Sequence, residues 1–160
     1  MTAEDWPAVA RIFEQGIATG NATFEHSAPS WEGWSAARFP EPRLVARDAS
    51  DVIGWAALSP TSGRSVYRGV SSVSIYVDPA HGRCGVGRAL LEELIRASES
   101  AGFWTLQAGI FPENAPSIRL HEGCGFQLLG THERIGQMPD GRWRDVVLYE
   151  RRSQTVGVAP

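Results

Sequence analysis

The chain has 160 residues, 42% of them hydrophobic, with 17 glycines and 10 prolines, which suits a single α/β domain over 1–152 and a short tail over 153–160. All 15 basic residues are arginines, so chemistry that needs a lysine (a Schiff base, pyridoxal catalysis or a P-loop) is excluded. A net charge of −3 argues against broad nucleic-acid binding but leaves room for a local anion site.

At the start of the chain Thr2 and Asp5 resemble a capping box, and Pro7 fits a first helical turn. Trp6, Val9, Ala10 and Phe13 recur at helical spacing, which predicts a helix over about 4–15 stopped at Gly16. A second short helix follows Ser30, with Trp31 and Trp34 on one side, and ends at Pro40. Leu44-Val45-Ala46 and Val52 to Leu58 read as strands joined by a hairpin turn over Asp48-Ala49-Ser50-Asp51. Residues 59–70 read as a loop, and Ser72 to Val77 as a strand closed by Asp78-Pro79. A glycine-rich bend, His81 to Gly87, then opens a helix. Its Val86, Ala89, Leu90, Leu94 and Ala97 keep helical spacing up to Ala101-Gly102. Trp104 to Ile110 reads as a strand, and Ala115 to about Glu122 as a short helix. Two more strands follow, Phe126 to about Arg134 and Arg142 to Arg151, turning at Pro139-Asp140-Gly141. The tail, Ser153 to Pro160, is expected to fray.

The two cysteines, Cys84 and Cys124, lack neighbours at metal-ligand spacing, so no metal is expected. So few cysteines fit a reducing cytosol. The start, Met1 to Asp5, is acidic and unlike a secretory signal, and the longest apolar stretch, Val52 to Leu58, is too short to cross a bilayer. A cytoplasmic protein without a membrane partner is the expectation.

The most informative stretch is the strand, bend and helix over 72–100. A helix start leaves backbone N–H groups unpaired and carries positive dipole character. Glycines let that backbone curl round an anion without side chains in the way. Arg83 and Arg88 add charge, and residues 79–90 contain no acid. The physics points to phosphate, and to a diphosphate before a lone carboxylate. The competing reading is a tight strand-to-helix turn that needs glycine for its geometry. Gly82, Gly85 and Gly87 do not make GxGxxG, which leaves NAD the weaker ligand. The second informative stretch runs from Asn114 to Phe126. Asn114 sits at a helix start, where its amide can cap the helix or face a ligand, and by itself the stretch is a capped helix.

In this order and spacing the two stretches resemble the GNAT superfamily of acetyl-CoA-dependent N-acetyltransferases. Gly85 and Gly87 match the signature Gln/Arg-x-x-Gly-x-Gly/Ala. The segment from Asn114 through Ser117-Ile118-Arg119-Leu120-His121-Glu122 to Gly125-Phe126 matches Asn-x-x-Ala/Ser-Ile-x-Leu-Tyr/His-Glu-x-x-Gly-Phe. The likeness extends over about 4–151. Within it the chain is most similar to the phosphinothricin and methionine sulfoximine N-acetyltransferases, through Asn21 to Glu25, Tyr67-Arg68, Ser74 to Val77, Leu120-His121-Glu122 and Gly141 to Asp145. The fold implied is a GNAT-like α/β (α+β) domain: a mixed, mostly antiparallel sheet flanked by about four helices. Similar proteins begin with a strand before the first helix. This chain begins at the helix, so one strand fewer is expected.

The resemblance implies roles residue by residue. The backbone of Arg83, Cys84, Gly85, Val86, Gly87 and Arg88 would hold the coenzyme A pyrophosphate. The edge of Ile75, Tyr76 and Val77 would pair with the pantetheine arm and polarise the thioester carbonyl. Asn114 and Ser117 would contact the arm. Phe24, Glu25, Arg64, Tyr67 and Arg68 would line the acceptor pocket, with Arg68 or Arg64 gripping a carboxylate through its planar fork. Either arginine reads equally well as a solvated loop charge. His121 occupies the place of a tyrosine that protonates the departing thiolate, and it reads also as a helix histidine with a satisfied hydrogen bond.

The chain departs from the pattern at three of these sites. Gly82 stands where the signature has Gln or Arg. Ser72 stands where the nearest relatives carry a glutamate, a general base, which leaves Glu25 or water ordered by Ser72 as substitutes. Arg144 stands where they have a histidine before the aspartate. The function expected is transfer of acetyl from acetyl-CoA to the primary amine of a small amino-acid-like acceptor, by direct attack in a ternary complex. His121, Glu25 and Ser72 are the candidate catalytic residues. The alternatives are an acyl-CoA-binding module with weak or lost catalysis, or an acetyltransferase of protein N-termini. Exposed aromatics near Trp31 and Trp34 are compatible with a homodimer.

Overall fold

The strand Asp51–Pro60 (β2) is buried from Val52 to Leu58, as its unbroken apolar run requires of a strand covered on both faces. A computed structural model describes residues 1–158. In it β2 lies near one edge of a six-stranded sheet with the order β1-β2-β3-β4-β6-β5. The other strands are β1 (Arg43–Asp48), β3 (Val70–Val77), β4 (Thr105–Ile110), β5 (Gln127–Gln137) and β6 (Trp143–Arg152). Every neighbouring pair is antiparallel except β3 and β4, which run parallel. Among the described residues the four α-helices are α1 (Trp6–Ala18), α2 (Trp31–Ala36), α3 (Val86–Ser100) and α4 (Ala115–Gly123).

Alternation along β2 divides the core in two. Ala56 and Leu58 face α3, where Leu90, Leu91, Leu94, Leu106 and Phe126 close the larger cluster. Trp55 and Ala57 face α1 and α2, against Val9, Ile12, Phe13 and Trp34. Along β3 the same alternation sends Ile75 and Val77 to the α3 side and Tyr76 to the α1 side.

The structure revises several sequence expectations. The helix α1 runs through Gly16 to Ala18. Gly16 is there for close approach, since a Cβ on it would lie 2.7 Å from the Tyr76 ring. The helix α2 stops at Ala36, before Pro40, and Arg43 donates to the carbonyls of Ser35, Arg38 and Phe39 around its end. Trp34 is fully buried and Trp31 half-buried, both packed with Trp6, so the aromatics expected to be exposed here are partly or wholly covered. The loop over 59–70 is shorter than expected, since β2 reaches Pro60 and β3 starts at Val70. The strand β5 extends to Gln137.

The described part of the tail is hydrogen-bonded back to the domain. Ser153 is 3% exposed and its N–H donates to the Trp104 carbonyl, while Arg152 donates to the carbonyls of Val156 and Gly157. Residues 159–160 lie outside the described residues. Among the described residues no strand precedes α1, and β1 is a sheet edge, where the Met1 ammonium donates to the Arg43 carbonyl at 3.2 Å.

Candidate active site

Parallel pairing of β3 with β4 covers only Val70–Thr105, Ser71–Leu106 and Ser72–Gln107. Beyond Ser72, β3 keeps only its β2 partner as far as Val77. Beyond Gln107, β4 keeps only its β6 partner as far as Ile110. Two strand edges with unused backbone groups therefore face each other across a wedge, and unused N–H and C=O groups are what an extended ligand can pair with. The wedge opens into a cavity of about 740 Å³ that the bend, α4 and the loop after α1 also line.

The bend at the wide end of the wedge is shaped by Asp78, Arg83 and Gly85. Asp78 is buried and accepts from Arg11 at 2.5 Å and from the Ala80 N–H at 2.9 Å. The Arg11 bond, then the Ala80 bond, hold this carboxyl below its usual range. Arg83 (φ 64°) and Gly85 (φ 83°) take left-handed conformations, which only glycine adopts freely. No side chain caps α3, no acid stands in its first turn, and the first helical amide to find a carbonyl belongs to Ala89. The amides before it are free for an anion. At Gly87 an added Cβ would make ordinary contacts, with Leu120 at 3.4 Å and Val77 at 3.5 Å. Arg83 lines the cavity, whereas Arg88 turns along the helix to Glu92 at 2.8 Å.

The other wall belongs to α4 and the loop after α1. Asn114 spends both ends of its amide on structure: Oδ1 accepts from the Ser117 N–H (3.2 Å) and Nδ2 donates to the Asn21 carbonyl (3.0 Å). His121 is 2% exposed. Its Nδ1 lies 2.8 Å from the Ser117 carbonyl, which can only accept, so the ring proton sits on Nδ1. Nε2 keeps its lone pair and is buried without a protein partner. Burial holds the His121 imidazole below its usual range, which favours the neutral ring. Tyr76 stacks on Trp55 (4.8 Å), and burial pushes its phenol up to about 12.

Of the sequence-derived residues, Phe24, Ser72, Ile75, Tyr76, Val77, Arg83, Gly87, Asn114, Ser117 and His121 line one cavity. Cys84, Gly85, Val86 and Arg88 belong to the bend beside it. Glu25 is exposed next to Phe24 and does not line the cavity. Arg64, Tyr67 and Arg68 lie elsewhere, on the exposed loop between β2 and β3. Arg64 sits over the Tyr67 ring at 5.6 Å and Arg68 over Trp104 at 5.4 Å. Sequence reasoning missed Asn21, Thr23, Gly109 and Phe111 as lining residues. No Asp or Glu lines the cavity among the described residues. Among them, too, no helix is long and apolar enough to cross a membrane, and no three His, Cys, Asp or Glu side chains are grouped to hold a metal.

Residues 7–126 match the acetyltransferase (GNAT) family. The chain is 32% identical over 154 residues to the phosphinothricin N-acetyltransferase of Streptomyces viridochromogenes, covering 94% of this chain and 84% of that protein. It is 30% identical over 158 residues to an L-methionine sulfoximine/L-methionine sulfone acetyltransferase of Salmonella typhimurium, covering 91% of this chain and 88% of that one. The crystal structure of a phosphinothricin acetyltransferase from Sinorhizobium meliloti in complex with acetyl-CoA matches with a TM-score of 0.88 at 30% identity, over 100% of this chain and 89% of that chain.

Proposed function

The chain belongs to the acetyltransferase (GNAT) family, and from that membership we propose that it moves acetyl from acetyl-CoA to the primary amine of a small amino-acid-like acceptor bearing a carboxylate or phosphinate. The observation that carries this reading is the parting of β3 and β4 at Ser72 and Gln107, opposite a helix start with free amides. The bend amides over 83–88 hold the pyrophosphate. The pantetheine arm adds to the free edge of β3 as a further strand would. An N–H of that edge then polarises the thioester carbonyl and stabilises the oxyanion.

The neutral amine nitrogen attacks the carbonyl carbon from the side of Thr23 and Phe24, and the C–S bond breaks as the tetrahedral intermediate collapses. The nitrogen loses one proton and the thiolate gains one. With Nδ1–H committed to Ser117, His121 offers the site a lone pair at Nε2 and no proton, so it accepts a hydrogen bond and does not protonate the thiolate. Among the described residues no carboxylate lines the cavity to take the proton from the amine, so the reaction draws on amine that is already neutral, and water takes the proton from the attacking nitrogen and supplies one to the departing thiolate.

For an amine of pKa ~8, kcat/KM for the acceptor then rises about tenfold per pH unit below that value and levels above it. Initial velocities with acetyl-CoA and a panel of amino-acid-like acceptors across pH 7 to 9 check this. The reading predicts intersecting lines, loss of activity on amines without an acidic group, and that pH slope. Parallel lines, the mark of a covalent acyl-enzyme, or a flat pH profile contradict it.

The missing carboxylate also favours a second reading, an acyl-CoA-binding module with lost catalysis. Tight binding of acetyl-CoA with no turnover on any acceptor selects it. The proposed setting is the cytoplasm, and the proposed protein partner is a second copy of the chain. Exposed Leu128, Leu129 and Ile135 on the edge strand β5, with Trp143 on β6, support that partner.

A further inference from the structure

Resting on the acceptor side just proposed, we propose that Arg144 is a positioning residue that latches the loop over 19–24 to the sheet and so fixes the wall against which the acceptor sits. Arg144 is only 9% exposed, on β6, far in sequence from the loop it touches. Its Nη1 donates to the Gly20 carbonyl at 2.9 Å. Its Nη2 donates to Asn21 Oδ1 at 3.0 Å and to Glu113 Oε2 at 2.8 Å. The guanidinium carbon lies over the Phe111 ring, 3.9 Å from its centre.

Phe111 also receives Phe24 edge-on at 4.8 Å, so the latch and the pocket wall meet on one ring. Phe24 in turn lies over Gly136, where an added Cβ would come within 2.6 Å of it. Two charge-assisted bonds hold residues 20 and 21, and Thr23 and Phe24 then face the cavity beside Ser72 and Ser74. A planar fork reaches acceptors on separate segments and stacks on an aromatic ring at once, which neither an ammonium nor an imidazole can do. A buried cation stripped of these partners is costly, so the loop and Arg144 hold each other in place.

The test compares wild type with Arg144→Ala and Arg144→Lys by two readouts. One is backbone amide exchange in a peptide covering 19–25. The other is KM for the acceptor against KM for acetyl-CoA. In R144A the loop should exchange at least about tenfold faster, and the acceptor KM should rise about ten- to hundredfold, as expected for losing charge-assisted hydrogen bonds. Acetyl-CoA KM should stay within about twofold, since the bend amides over 83–88 that hold the pyrophosphate share no hydrogen-bond partner with Arg144. R144K should recover part of the acceptor KM.

Wild-type exchange in the R144A loop overturns the latch. So does faster exchange with an unchanged acceptor KM, or a parallel rise in both KM values. Should R144A fail to fold, R144K carries the same two readouts. If wild type acetylates no amine, the acceptor reading falls by itself, and the exchange result alone then decides whether Arg144 latches the loop.

Discussion

Gly85→Val should weaken acetyl-CoA binding by about 100-fold or more while leaving the fold intact. Gly85 is the N-cap of α3 with φ 83°. A side chain there costs ~1–2 kcal/mol in strain, and more when β-branched. An added Cβ meets nothing within 4 Å, so the strain is not a core clash. The chain relieves it by swinging the bend to negative φ, which turns the amides of 83–88 away from a common focus. Losing two charge-assisted hydrogen bonds at about 1.5–3 kcal/mol each accounts for at least the stated factor. Binding measured by calorimetry, with thermal melting as the control, checks it. A dissociation constant within about threefold of wild type would mean that the bend is merely a turn.

Trp55→Ala should cost about 3–5 kcal/mol of stability, the range for truncating a buried aromatic, and lower Tm by roughly 10 °C. Trp55 is fully buried and holds three rings at once: Phe13 edge-on (5.7 Å), Trp34 edge-on (5.5 Å) and Tyr76 stacked (4.8 Å). Tyr76 belongs to the β3 edge that faces the wedge, so the lost stack also loosens that edge. Urea unfolding reads the stability. A loss below about 1 kcal/mol would show that the α1 side of the sheet is not held by this cluster.

The parts of this architecture legible in the sequence are those encoded locally. The bend at Gly85 and Gly87 announces itself because a helix start and a left-handed residue need specific residue types. The block from Asn114 onward is a cap followed by a helical pattern, and it forms as read. Gly16 misled because a glycine read alone signals a stop, while its real partner is the Tyr76 ring from another element. Trp31 and Trp34 looked available for a partner, but the rings that cover Trp34 include Trp6 and Trp55, and no spacing rule joins them. Arg144 stood out only as a departure from a pattern, because its partners Gly20 and Asn21 are more than a hundred positions away. The tail looked frayed because its anchors, the Trp104 carbonyl and the Arg152 guanidinium, act through backbone groups that composition does not reveal.

The most direct measurement is an amide chemical-shift titration of the wild-type protein with acetyl-CoA. The resonances of residues 83–88 and of Val73 to Val77 should move most, and saturate together at one equivalent of ligand. Saturable shifts confined to other surfaces, or none at millimolar ligand, would contradict the assignment of the bend and the free β3 edge as the seat of the thioester carrier.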